Sequence, residues 1–215
     1  MTRETTRIYL EKGRTKIVAC ALDWPGWARI GTTEDRAVAA LTAYTDRYRL
    51  ITTGAELTFA PGPIDIVDTV TGVNTTDWGA PGVPVAADSG PYGVAAAQRA
   101  VAVLQTAWRT LDDLARSAPR TLRKGPRGGG RDRDEIVAHV IDNERAYARK
   151  IGIRHRRFPA DDRAALTALR AEILEVLGTP ADGVPLTGGG WPPAYAARRF
   201  AWHALDHVWE IQDKS

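Results

Sequence analysis

Two of the four histidines in this 215-residue chain, His203 and His207, stand four residues apart near its C-terminal end. If that stretch is helical, the two imidazoles occupy neighbouring turns of one face, the spacing at which they can share a divalent cation. A third histidine, His139, lies far upstream in another helical-looking run and could complete the set. Three neutral imidazoles leave a fourth position open, the pattern of catalytic rather than structural zinc sites. A cation there would lower the pKa of a bound water or thiol and so supply a nucleophile near neutral pH. Zinc and nickel both suit imidazole ligands, and the sequence does not choose between them. The single cysteine, Cys20, sits in an apolar strand-like run and reads as a buried, inert thiol. No thiolate cluster is therefore available, and any metal site must be built from His, Asp and Glu.

Asp142, Asp206 and Glu210 fall within about a turn of the histidines and are candidates to orient them by hydrogen bonding. Arg199, next to Arg198, is a candidate clamp for a substrate carboxylate, against which stands its reading as part of a solvated helix face. Histidines on helix shoulders can equally satisfy one another or a carboxylate without any metal. Pairing across two helices is what sets these three apart from His155, which reads as exposed and without function.

The elements that must hold these residues are helices. From residue 94 onward apolar residues recur at helical spacing, giving expected helices over 94–117, 133–151, 162–177 and 191–212. Asp132 with Glu135 forms a capping-box pattern before the second. On a helical wheel the three histidines flank apolar arcs, and Tyr195, Trp202 and Trp209 form a second stripe on the far side of the last helix. That stripe reads as packing against the N-terminal region or a partner subunit. The Gly-rich stretch 125–130 reads as a connector; Gly128–Gly130 lacks the Lys-Ser/Thr of a phosphate-binding loop.

The first 88 residues carry a different pattern. Short β-prone runs at 7–10, 16–22 and 27–30 precede a helix over about 34–49 with Thr32 as its expected cap, then β-prone runs at 55–59 and 64–70. The expected order is β-β-β-α-β-β, a small α+β unit. Residues 71–90, rich in Gly, Pro, Thr and Asp, form the expected boundary. Within them Trp78 reads as an anchor pinning the segment down. The expected division is thus an α+β domain over 1–88 and an all-α bundle over 89–215.

Composition narrows the function classes. Hydrophobic residues make up 44% and charged residues 26%, as in ordinary globular proteins. There is no apolar run of roughly 18 residues for a membrane span and no apolar leader, so a cytoplasmic protein without membrane contact is expected. The 29 basic residues, 24 Arg and 5 Lys, exceed the 26 acidic ones by three and form no dense basic block, which argues against nucleic acid as a partner. A small-molecule substrate, and a monomer or homodimer, are the expectation.

Two resemblances add to this. Residues 17–26, ending Asp23-Trp24-Pro25-Gly26, followed by Gly31-Thr32-Thr33 and Ala37, resemble the N-terminal domain of HicB-type antitoxins. Those proteins usually carry a DNA-binding module that is not found here. Residues 92–214, with His139 in the second helix and His203-x-x-x-His207 in the fourth, resemble the DinB-like superfamily that includes mycothiol-dependent maleylpyruvate isomerase. The resemblance implies a four-helix bundle with a three-histidine metal site, and a low-molecular-weight thiol such as mycothiol as co-substrate for transfer to an electrophile. The alternative is a non-enzymatic HicB-like binding module with a structural or vestigial bundle.

Overall fold

The chain begins with a β-hairpin. Strand β1 (Thr6–Lys12) pairs antiparallel with β2 (Ile17–Ala21), Ile8 opposite Ala21 and Lys12 opposite Ile17. The Gly13 N–H donates to the Lys16 carbonyl at 2.8 Å to close the turn. Strand β3 (Ala28–Gly31) continues antiparallel on β2, and β4 (Ile64–Thr71) returns parallel to β1, so the sheet order is β3-β2-β1-β4. A parallel return needs a long crossover. Helices α1 (Glu34–Ala43) and α2 (Thr45–Gly54) supply it. The computed structural model describes residues 5–125 and 129–215, and shows a mixed α+β fold: this four-stranded sheet, then helices.

Two expectations for this half are corrected. Residues 55–59 form no strand: α2 runs on to Gly54, Glu56 takes φ +58°, and the Leu57 N–H bonds back to the Thr52 carbonyl at 2.9 Å. This left-handed ending turns the chain inward and buries Phe59. The order is therefore β-β-β-α-α-β. The cap of α1 is Thr33, one residue after the expected Thr32, its hydroxyl accepting from the Arg36 N–H at 3.2 Å.

Four long helices follow a short α3 (Asn74–Asp77): α4 (Val94–Ser117), α5 (Arg133–Ala148), α6 (Arg163–Leu177) and α7 (Pro193–Lys214). Asp132 precedes α5 as expected, its N–H donating to Glu135 Oε2 at 2.8 Å. Helix α7 touches α4, α5 and α6, and from Tyr195 to Trp209 it is buried on almost every side. A helix buried all round must be covered by more than one layer. The sheet is the second layer. Trp202 packs with Tyr9, Val18, Cys20 and Ala28 on one sheet face, and Trp209 meets Tyr44 edge-on at 4.9 Å. The second aromatic stripe of α7 is thus the contact with the N-terminal half. The main core is continuous across the expected 88/89 division, with Ile8, Leu41, Leu104 and Phe200 in one cluster.

Two glycines of the N-terminal motif are explained by close approach. A Cβ on Gly31 would lie 2.2 Å from the Ala37 N, so α1 packs directly on the end of β3. Gly26 has φ +87°, and a Cβ there would lie 2.9 Å from the Ala201 carbonyl carbon of α7. Gly26→Ala combines backbone strain with a backbone clash, and should cost about 2–4 kcal/mol. Urea unfolding monitored by circular dichroism checks this; a loss under about 1 kcal/mol would mean that α7 shifts freely over the turn.

The 71–90 segment is held by an acid, not by its tryptophan. Trp78 is 77% exposed, so the anchor reading fails. Glu11, fully buried on β1, instead accepts from the Thr76 hydroxyl, the Gly82 N–H at 2.9 Å and the Val83 N–H at 3.1 Å. Sequence favoured the large apolar side chain because burial scales with apolar area. The three unpaired donors of a Gly/Pro-rich segment placed the anchor at a carboxylate.

Candidate metal centre

His139 on α5 and His203 and His207 on α7 converge, with one ring nitrogen from each within 4.8 Å of the others. His139 is half-buried; His203 and His207 are 5% and 8% exposed. Nε2 of His139 and Nε2 of His203 stand 3.4 Å apart. A tetrahedral cation with metal–nitrogen bonds of about 2.0–2.1 Å separates its ligands by roughly 3.3 Å, so this pair already fits. With a proton on either Nε2 the two rings can hydrogen-bond, and a cation in its place would be held by both.

Around His139 and His203 the surroundings favour the neutral ring, the form that ligates. Burial holds the His139 imidazole down at about 4, with His207 and Arg131 adding to the effect, and burial likewise depresses His203 well below the usual range. Nδ1 of His207 lies 2.7 Å from Glu210 Oε2, and Lys214 Nζ donates to the other oxygen at 2.5 Å. The hydrogen bond to His207, and then Lys214, holds the Glu210 carboxyl at about 2 despite its burial. A carboxylate on Nδ1 leaves Nε2 of His207 as the ligating atom and fixes the ring plane. The Asn143 amide donates to the His139 carbonyl at 2.9 Å and sits 3.3 Å from Nδ1 of that ring. Tyr147 meets His203 edge-on at 5.4 Å and walls the cluster from α5. Nδ1 of His203 is buried with no partner among the described residues.

The other candidates are placed differently. Asp206 pairs with Arg29 of β3 at 2.9 Å, and burial raises its carboxyl above the ordinary value. It ties α7 to the sheet and bonds no histidine. Asp142 pairs with Arg145 at 3.0 Å and Arg157 at 3.4 Å. Arg199 is buried, not solvated: its Nη1 donates to the Pro81 carbonyl at 2.9 Å and its guanidinium stacks on Trp202 at 4.7 Å. Cys20 is buried and its thiol is pushed up to about 12 by that burial, an inert residue as expected. His155 is half-buried on Glu172 at 2.9 Å, not exposed. Gly128 lies outside the described residues. Among the described residues no helix is long and apolar enough to cross a membrane.

Sequence reasoning missed Asn143, Lys214 and Tyr147. Asn143 follows His139 by four residues, and Lys214 follows Glu210 by four, so helical spacing could have found both. Tyr147 lies two turns beyond His139, and Arg29 reaches α7 from another element altogether.

The histidines carry a pH prediction for the metal-free protein. An unfolded histidine protonates near 6.5, whereas folded His139 resists until about 4. Between those values the unfolded chain binds more protons, so stability falls as pH drops through that window, by on the order of 2–3 kcal/mol. Urea midpoints at pH 7.5, 6 and 5 should decline in that order; a flat series would contradict the depressed His139 pKa.

No protein-family model matches the chain, and neither a curated protein nor a solved structure matches it significantly.

Proposed function

We propose that this protein is a divalent-metal-binding protein of DinB-like type, in which α4–α7 act as the four-helix bundle and His139, His203 and His207 hold zinc or nickel. We further propose that it transfers a low-molecular-weight thiol of the mycothiol kind to an electrophilic small molecule. The observation that carries the reading is the convergence of three imidazoles, two buried and one half-buried, from two helices. The donor set is all-nitrogen, suits a borderline-soft cation, and has its His207 ring fixed by Glu210.

A cation held by these three residues would supply Lewis acidity, making a thiol or water bound to it more acidic near neutral pH. The chain's own part is positional. The α5–α7 packing sets the separation of His139 from His203, the Glu210–Lys214 pair fixes His207, and Tyr147 and Trp202 exclude water from the His203 side. Glu210, held ionised by two cationic or N–H partners, is engaged in orientation and is no free general base.

Metal analysis of protein purified without a polyhistidine tag tests the reading directly: about one ion per chain is expected, and none in the His203→Ala/His207→Ala variant. Folded protein that takes up neither zinc nor nickel would sink it. A non-enzymatic reading draws on the burial of His203 and His207. It predicts the same metal content without consumption of any thiol when electrophiles are supplied, which separates the two.

A further inference from the structure

We infer that the protein has a second ligand site, for the phosphate or carboxylate group of a small anionic molecule, where Arg7, Arg99 and Arg198 border one cavity between the sheet and the starts of α4 and α7. The cavity has a volume of about 120 Å³ and lies on the side of α7 away from the histidines. Arg7 comes from β1, Arg99 from the second turn of α4 and Arg198 from the second turn of α7.

Arg198 is 7% exposed, and its Nε is buried with no partner among the described residues. Its Nη2 pairs with Asp88 at 2.8 Å, a contact that does not reach Nε. Arg7 pairs with Asp23 at 2.6 Å. Arg99 has no carboxylate partner among the described residues; it donates to the Asp23 carbonyl at 2.8 Å and lies 4.6 Å from the Trp24 ring centroid. Both long helices also begin here, with Gly93 and Pro192 at their N-caps and no side chain capping either. The positive ends of the two helix dipoles add to the same potential. Tyr92, buried beside the cavity, gives an apolar wall. A larger cleft of about 560 Å³ shares Arg7, Asp23 and Arg99 and is flanked by Trp24, giving room for the body of the ligand. Arginine rather than lysine at all three positions matches planar, forked recognition of an oxyanion.

This site stands independently of the metal reading, and calorimetric titration of the full chain tests it. Inorganic phosphate and succinate are titrated separately, with chloride at matched ionic strength. Saturable binding of about one anion per chain is expected, and whichever of the two binds tighter identifies the head group. Arg99→Ala should weaken it about tenfold or more, the loss of a charged hydrogen-bond donor. Arg7→Ala should do the same from the sheet side, which keeps the test open if either variant folds poorly. Binding must persist in His203→Ala/His207→Ala. Loss of binding in that variant would put the anion on the histidine cluster and overturn the proposal. Equal heats from chloride, or affinity unchanged in both arginine variants, would overturn it as well.

Discussion

Glu210→Gln is expected to weaken zinc or nickel affinity by about 10–100-fold, the usual consequence of altering a carboxylate that orients a metal-binding histidine. The change keeps the size and shape of the side chain, and an amide oxygen can still accept from Nδ1 of His207. It removes the charge that His207 and Lys214 share, the two partners whose hydrogen bonds depress the Glu210 pKa. The ring then rotates more freely and its Nε2 is a weaker donor. Competition with a chromogenic chelator at pH 7.5 measures the effect, and a melting curve of the metal-free variant separates it from loss of fold. Affinity within twofold of the parent would show that Glu210 serves the C-terminal turn of α7 and not the cluster.

Glu144→Ala should be among the most destabilising single changes, at about 3–5 kcal/mol. Glu144 is 2% exposed, and both its oxygens accept from Arg170 of α6, at 3.1 and 3.3 Å. Burial raises its pKa even against the adjacent guanidinium, which shows how strongly water is excluded. Arg170 also bonds Asp112 of α4 at 3.2 Å and lies over Trp108 at 4.8 Å. One ion-pair network therefore fastens α4, α5 and α6 together. Truncating the glutamate strands a buried cation with a half-exposed partner. Replacing both members, as Glu144→Leu/Arg170→Met, should recover most of the loss, because the desolvation of both charges disappears with their attraction. Urea unfolding of the two single variants and the double variant resolves this. A double variant no better than Glu144→Ala alone would assign the cost to packing. Glu144 lies five residues after His139 on α5, so the same network also sets how firmly that helix presents its histidine to α7.

The long helices were legible because their apolar residues repeat at a period that only helix uses, and because Asp132 marks the start of α5 and Gly178 the end of α6. The histidine cluster was legible for a related reason. A pair at i and i+4 needs no knowledge of the tertiary fold to share a face, and only the third member depends on how helices pack. The false strand at 55–59 shows the limit of local pattern. Leu57 and Phe59 alternate as strand residues do, yet Glu56 in a left-handed turn makes this a loop in which Phe59 is buried and Leu57 packs partly buried against the core.

His203 and His207, four residues apart, were enough by themselves to point to a shared ligand on one helix face. What tertiary structure decided is their burial and company. Helix α7 lies between the sheet and three other helices, so residues that a wheel puts at the edge of one apolar arc are covered from both sides. The same sandwiching converted Arg198 and Arg199 from a solvated face into buried guanidiniums facing Asp88, Pro81 and Trp202. Spacing along a chain fixes which side chains share a face; only the second layer fixes which faces meet water.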